Sequence, residues 1–409
     1  MKAQGANPQP PNKRMSRRKF IAGAGATALS FAIIKPELVR GFAANSKIDL
    51  GIIGCGDRGT WIADLFRQHG GFNIVAGADY FQDRVDQFGE KYQVGDARLY
   101  TGLSGYRQLL DSRVDAVAIE SPPYFHPEQA AAAVDSGRHV YQAKPLGVDV
   151  PGCLSIAKSG KKATANQLCF LVDFQTRANA LYREAVKRAQ YGDIGPIVSG
   201  EATYHDGPIK IKTTPGSDEA RLRNWMSNQA LSGDIIVEQN IHCLDVATWI
   251  LDDQPISAYG TGGRNSVGGD PDDYWDRFAV IYEFPNDVTI SFNSKRFGRG
   301  HGGIICRMYG ANGTIDTNYF GNVGIRGNTP YKGGSTGNLY TDGVVSNIAD
   351  FYDNVTKGRF ANTTVPPSVR SNLTAILGRM AGHAHRQVTW DEMMKANEKL
   401  QANLKGLVA

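Results

Sequence analysis

From residue 48 onward, short apolar runs of four to six residues alternate with stretches whose apolar positions recur every three or four. Residues 48–53, 74–78, 114–119 and 139–142 have the first pattern and are expected to be strands. The stretches between them are expected to be helices, among them an alanine-rich one over 129–136 that Gly137 closes. Such alternation builds a parallel sheet wound with right-handed crossovers. A helix over 152–165, a strand over 168–172 and a long amphipathic helix over 177–191, stopped at Gly192, continue the series. The pattern then changes. Strand-like runs at 197–204, 277–284, 288–293 and 304–309 are separated by Gly, Asn and Asp turns and interrupted by one helix over 241–251, which implies a second domain on an antiparallel or mixed sheet. The Gly-rich stretch 320–343 is expected to be an exposed loop, followed by helices over 344–357 and 368–383. The expected organisation is an α/β domain over 44–170 and an α+β domain over 171–409, the latter with a large, open, mostly antiparallel sheet and C-terminal helices free to pack back on the first domain.

Composition alters this picture chiefly at the N-terminus. The formal charge is +5, yet residues 1–43 hold eight basic side chains against one acidic and carry +7, which leaves the rest of the chain at −2. A slightly acidic body offers no electrostatic footing for nucleic acid. Behind the basic residues lies an Ala- and Gly-rich apolar run over 20–34, shorter than the roughly 20 residues that span a bilayer, so no stable membrane span is expected. Ser16-Arg17-Arg18-Lys19-Phe20-Ile21 has the twin-arginine pattern, and Gly41-Phe42-Ala43 places small residues where a signal peptidase cuts. Residues 1–43 are therefore expected to engage the twin-arginine export machinery and deliver the folded protein to the periplasm or beyond, a route that favours a cofactor bound before export. The five cysteines, Cys55, Cys153, Cys169, Cys243 and Cys306, have neither CxxC spacing nor a His/Cys cluster; buried thiols are expected, with no metal.

Gly54-Cys55-Gly56-Asp57-Arg58-Gly59 directly follows the first apolar run and opens a helix. In that setting Gly54 permits a tight turn, Gly56 lets backbone approach a pyrophosphate and Gly59 lets helix pack on strand, so that the helix N-terminal amides face phosphate. Asp79 ends the next strand, twenty residues beyond Gly59, where a carboxylate accepts both ribose hydroxyls and repels a 2′-phosphate. The expected cofactor is NAD, with NADP the less favoured, Arg84 lying close enough to blur the choice.

Further motifs join this loop. Glu120-Ser121-Pro122-Pro123-Tyr124-Phe125-His126, Tyr141-Gln142-Ala143-Lys144-Pro145-Leu146, Phe174-Gln175-Thr176-Arg177, Glu238-Gln239-Asn240-Ile241-His242-Cys243-Leu244-Asp245 and Val388-Thr389-Trp390-Asp391-Glu392 follow in order. Together they resemble the glucose-fructose oxidoreductase, inositol dehydrogenase and rhizopine-catabolism family, Gfo/Idh/MocA, from about residue 47 to about residue 393. The resemblance implies a Rossmann N-terminal domain followed by a substrate-binding and oligomerisation domain. It implies that Pro122 and His126 lie along the nicotinamide ribose, and that Lys144 and His242 carry the chemistry. Two residues depart from the pattern. Ala143 stands where the family usually has Glu, and Glu238 where it usually has Asp; both bear on the geometry of the proton relay.

Removing hydride from a secondary alcohol requires loss of the hydroxyl proton, so the site needs a donor and an acceptor beside the nicotinamide. Lys144 is expected to hold the hydroxyl and stabilise developing alkoxide, His242 to take the proton, and Glu238, four residues earlier, to orient the ring or bind a sugar hydroxyl. Arg177, Tyr204, His205, Asp206 and Asp245 are candidates for the substrate side, with Trp225 and Trp275 as stacking surfaces. Lys210 and Lys212 read as a solvated loop face. The leading expectation is an NAD-dependent oxidoreductase acting on a CH–OH group of a sugar, cyclitol or glycoside. Free NAD is scarce outside the cytoplasm, which favours a tightly held cofactor. One alternative is a redox-neutral glycosidase that oxidises, eliminates, hydrates and reduces; another is a non-catalytic sugar- or nucleotide-binding protein. An uncovered second-domain sheet face points to a homodimer or homotetramer.

Overall fold

The structure is a computed structural model that describes residues 47–214, 216–264 and 274–409; the expected export signal lies outside them. A six-stranded parallel sheet has the order β3-β2-β1-β4-β5-β6. Its strands are β1 (Ile48–Ile53), β2 (Phe72–Asp79), β3 (Leu99–Thr101), β4 (Ala116–Ile119), β5 (His139–Ala143) and β6 (Phe170–Asp173). Every residue of β4 and β6 is buried, as expected for strands covered by helices on both faces. Those helices are α1 (Asp57–His69), α2 (Gln82–Tyr92), α3 (Gly105–Asp111), α4 (His126–Asp135) and α5 (Val150–Ala165).

The long helix expected over 177–191 is broken. It forms α6 (Gln175–Ala178) and α7 (Ala180–Gln190), because Asn179 leaves the helical region and its side chain accepts from the amides of Leu181 and Tyr182 to cap the second piece. The chain then enters a nine-stranded mixed sheet of order β14-β13-β12-β11-β7-β10-β9-β8-β15, in which only β7 and β10 run parallel. Its central strands are β7 (Ile197–Asp206), β8 (Ser257–Gly263), β9 (Arg277–Phe284), β10 (Val288–Arg296), β11 (Gly303–Gly310) and β12 (Gly313–Asn318). Between β7 and β8 come the short helices α8 (Asp218–Arg223), α9 (Gln229–Ser232) and α10 (Ile235–Glu238), then α11 (Ile241–Leu251).

The glycine-rich stretch 320–343 is not a loop. It holds β13 (Asn322–Gly327) and β14 (Tyr331–Ser335), which extend the sheet, and the start of α12 (Leu339–Thr356). Only Val323 and Ile325 of β13 point into the core, so the apolar signal is two residues long. Gly333, at φ 55°, sits so close to the Val323 carbonyl that a Cβ would overlap it.

The last elements are α13 (Val365–Ala384), β15 (Gln387–Thr389) and α14 (Trp390–Ala396). Helix α13 packs back on the first domain. Asn372 accepts from the Leu146 amide at 2.7 Å and donates to the Gly147 carbonyl at 3.1 Å, and Arg379 donates to the Val148 carbonyl at 2.6 Å. These buried bonds fix the segment that leaves Lys144. All five cysteines are buried thiols. No described helix is long and apolar enough to cross a membrane. Strand alternation leaves one face of the nine-stranded sheet open, with Tyr259 and Ile281 exposed as cross-strand neighbours among polar positions such as Glu283, Thr289 and Ser291.

Candidate active site

A cleft of about 840 Å³ opens at the C-terminal ends of β1, β2, β4 and β5 and is closed on its far side by residues around the end of β7 and the start of α11. It lies across the point where the strand order reverses between β1 and β4, where parallel sheets of this order bind their ligands.

Gly54, Gly56, Asp57, Arg58 and Gly59 line one half. Gly54 has φ 97°, and a Cβ there would stand 2.6 Å from the Ser121 amide nitrogen; one on Gly59 would overlap the Gly54 carbonyl. Beside Gly56 there is only the tip of Arg84, 3.3 Å from where a Cβ would be. The backbone is thus open to a ligand at the N-terminus of α1, where unpaired amides attract phosphate. Asp79 lines the same half. Its carboxylate accepts from the Cys55 amide at 2.8 Å and the Phe81 amide at 3.0 Å, with Arg84 at 3.7 Å, and burial raises its pKa against the opposing pull of that arginine. A glycine cradle beside a strand-end carboxylate fits an NAD dinucleotide.

One expected cofactor contact, Cys55, is corrected, and a second, His126, is found engaged by the protein's own backbone. The Cys55 amide is taken by Asp79 and its thiol turns inward toward the Ile52 and Ala78 carbonyls, so this residue shapes the loop without facing the cleft. His126 borders the cleft beside Pro122, but its ring nitrogens lie 2.7 Å from the carbonyls of Pro145 and Ser121. Burial lowers its pKa to about 4, so the neutral ring has one N–H to give. It ties the turn after β4 to the Lys144–Pro145 segment.

Lys144 follows β5. Its Nζ donates to the Glu238 carbonyl at 2.7 Å and to Glu238 Oε1 at 3.3 Å, both side chains being about nine-tenths buried. Desolvation lowers the lysine pKa, opposed by the Glu238 charge. Glu238 ends α10 and keeps Oε2 buried without a partner. His242 sits in the first turn of α11, its Nδ1 likewise buried and unpartnered, its ring against Tyr319 at 5.5 Å. Its pKa falls well below the ordinary histidine value, through desolvation first and then the charges of Lys144 and Arg58. Lys144, Glu238 and His242 all line the cleft, as do Tyr204, Trp225 and Asp206, the last ion-paired with Arg296. Glu238 and His242 do not share one helix; Gln239 and Asn240 join α10 to α11 and still bring both side chains to the cleft.

Arg177 and Asp245 are corrected outright. The guanidinium makes three contacts of 2.9 to 3.0 Å with the fully buried Asp245, which also accepts from Ser371 at 2.7 Å. With both charges consumed by each other behind the site, neither residue lines the cleft. His205 faces the opposite side of β7 from Tyr204 and bonds Asn293 at 2.8 Å, while the Trp275 ring lies tilted against His383 with centroids 3.8 Å apart.

Two cleft residues, Glu120 and Gln175, were given no role by the sequence. Arg58 reaches across from α1 to Glu120 Oε2 at 2.9 Å and Asp173 Oδ2 at 2.7 Å, and Asn347 of α12 donates to Asp173 at 2.8 Å. The Glu120 carboxyl is fully buried, its Oε1 has no partner, and desolvation raises its pKa to about 7 against the pull of Arg58. Gln175 lines the cleft with both amide atoms buried and unpartnered. An acid placed directly after the apolar run of β4 was the available signal for Glu120; for Gln175 it was its place in the Phe174–Arg177 motif.

Residues 48–170 match the model of an oxidoreductase family with an NAD-binding Rossmann fold, and residues 182–316 match that of the GFO/IDH/MocA C-terminal domain. Inositol 2-dehydrogenase of Acidothermus cellulolyticus is 25% identical over 281 residues, 67% of this chain and 73% of that enzyme. Alpha-N-acetylgalactosaminidase of Shewanella oneidensis is 27% identical over 187 residues, 44% of this chain and 38% of that enzyme. Among solved structures, myo-inositol 2-dehydrogenase from Lactobacillus plantarum has a TM-score of 0.66 at 22% identity, covering 84% of this chain and 99% of the other. Levoglucosan dehydrogenase in complex with NADH and levoglucosan reaches 0.68 at 17% identity over the same shares. With both domains matched in order, and the glycine cradle and lysine–histidine pair in one cleft, the chain belongs to the Gfo/Idh/MocA family of NAD-binding oxidoreductases.

Proposed function

We propose that this oxidoreductase acts on a secondary hydroxyl of a sugar, cyclitol or glycoside and keeps its NAD bound from one turnover to the next. The observation that carries the reading is the meeting of Lys144, held by Glu238, with a His242 whose Nδ1 has no partner, beside the glycine cradle. Lys144, oriented by Glu238, holds the substrate hydroxyl and stabilises the oxygen as negative charge develops. His242 is neutral at physiological pH and takes the hydroxyl proton as the carbonyl forms. NAD, when bound, supplies the hydride acceptor. Tyr204, Trp225 and Gln175 present an aromatic and amide surface of the kind that receives a polyhydroxylated ring.

Retention of NAD follows from the proposed address. The +7 charge of residues 1–43 and the Arg17-Arg18 pair support twin-arginine export to the periplasm or beyond. There a cofactor reduced and reoxidised within one cycle avoids dependence on free NAD, either by oxidising one sugar and reducing another or by a glycosidase cycle. The latter is the second reading, favoured by the likeness to Alpha-N-acetylgalactosaminidase and by the free Glu238 oxygen beside Lys144. In it the substrate is oxidised at C3, Glu238 removes the acidified C2 proton as the aglycone leaves, water adds, and the hydride returns. The open sheet face is proposed as the contact of a homodimer or homotetramer.

The test is to purify the protein from Ala44 onward without added nucleotide, denature it, and assay the released small molecules. Stoichiometric NAD supports the reading and directs the screen to glycosides and sugar pairs. An empty protein that takes up NAD weakly overturns the retained cofactor and leaves a conventional dehydrogenase.

A further inference from the structure

The two halves of the cleft are not held together by the main core alone. Directly after β7 the chain passes over the cofactor half: Lys212 lines the cleft and pairs at 2.5 Å with Asp57, the first residue of α1. Asn224 braces this segment, accepting from the Lys212 amide at 2.8 Å and donating to the Thr213 carbonyl at 2.8 Å. Eleven residues beyond Lys212, Arg223 pairs at 2.7 Å with Asp83, which lies just past Asp79, and its guanidinium stacks 3.9 Å over the Phe81 ring. Phe81, Leu222 and Leu231 form a small apolar cluster separate from the main core, joined by Leu103, Trp225 and Leu407. The C-terminal residues close the arrangement. Arg221 donates to the Lys405 carbonyl at 2.7 Å, the Leu103 amide donates to the Val408 carbonyl at 3.1 Å, and the Val408 amide donates to the Tyr80 hydroxyl at 3.3 Å.

These contacts link three regions far apart in sequence, and all of them surround the cradle and Asp79. Phe81, Leu103, Lys212, Leu222 and Arg223 are at once members of this arrangement and walls of the cleft. A dinucleotide resting on the α1 N-terminus and on Asp79 would lie beneath it. We infer that residues 207–214 and 216–224, locked by Lys212–Asp57, Arg223–Asp83 and the C-terminal tail, form a clasp that retains the cofactor, so that Lys212 and Arg223 set the rate of NAD release. The inference rests on the retained-cofactor reading and gives that reading its structural means. Opening the clasp breaks two ion pairs and exposes a three-residue cluster while the main core stays intact, the pattern of a local opening and not of global unfolding.

The test measures NAD release from the holoprotein after a chase with excess unlabelled NAD, in wild type, in Lys212→Ala/Arg223→Ala and in a chain ending at residue 400. Both substituted side chains are partly exposed, so the double variant is expected to fold, which circular dichroism checks. Release is expected to accelerate about tenfold in the double variant, the factor that two exposed ion pairs of ordinary strength supply, and further in the truncated chain. Slow release in wild type that neither change accelerates overturns the clasp and leaves the retained cofactor standing. Rapid release from wild type overturns both. Slow, clasp-dependent release from a protein that catalyses no redox-neutral reaction supports the clasp and overturns the redox-neutral scheme.

Discussion

His242 can act as a base only because it is uncharged where it stands. Burial and the neighbouring Lys144 and Arg58 charges hold its pKa well below the ordinary value, so the proton-accepting form persists through neutral pH. Replacing it with Ala is expected to lower kcat by roughly 10² to 10⁴, the range attributed to a positioned general base, with NAD content unchanged. Steady-state kinetics alongside nucleotide assay checks this; an equal loss of bound NAD would make His242 a cofactor ligand instead. Glu120 moves the other way, to about 7, because desolvation outweighs Arg58. A carboxyl whose folded pKa lies above its unfolded one adds stability in acid, and that contribution is lost as pH rises through about 7. Melting curves from pH 5 to 9 are therefore expected to fall more steeply for wild type than for Glu120→Gln, and an infrared carboxyl band titrating near pH 7 is expected to be missing in the variant. Nothing in the apolar periodicity announced this residue: one charged side chain at a strand end has no period, and its neighbours Arg58 and Asp173 come from 62 residues before and 53 after.

Among the elements, those whose apolar pattern runs unbroken were the most legible. Residues 48–53, 241–251 and 277–284 match the observed β1, α11 and β9 end to end, because continuous apolar runs or clean alternation persist along their whole length. Legibility fails where partners far away in the chain do the work. Strand β13 is held by hydrogen bonds to β12 and β14 and by two apolar side chains, too short a signal against its glycines. Arg177 and Asp245 were polar residues near a motif, and only the fold reveals that they neutralise each other behind the site. Helix α13 gives the sharpest test at this scale, since its Asn372 spans 226 residues to hold the Leu146 amide. Asn372→Ala leaves that amide and the Gly147 carbonyl buried without partners, at about 1 to 3 kcal/mol each. A destabilisation of about 2 to 4 kcal/mol in denaturant unfolding is expected, accompanied by a lower kcat because the same segment carries Lys144; loss of stability with unchanged kcat would show that Lys144 is positioned from β5 and Glu238 alone.

At the scale of the molecule, the cleft is walled chiefly by the cradle, the strand ends of the first sheet, the segment after β7, and helices α10 and α11, with the C-terminal tail braced against the segment after β7. A ligand that touches several of them stabilises their joint arrangement by mass action, because only the assembled state binds it. At a free NAD concentration a thousandfold above its Kd this amounts to about 4 kcal/mol. Stripping NAD is accordingly expected to lower the melting midpoint by roughly 5 °C, given the one to two degrees that each kcal/mol moves a chain of this size. The effect should be uneven. The main core runs through both sheets and does not depend on the cleft, whereas the Phe81, Leu222 and Leu231 cluster is small and lies against the cofactor half. Trypsin is therefore expected to cut the stripped protein first at Lys210, Lys212, Arg221 or Arg223, and to leave those sites intact while NAD is bound. Cleavage at the same places and rates with and without NAD would mean that the segment after β7 is held by its ion pairs alone, whatever occupies the cradle beneath it.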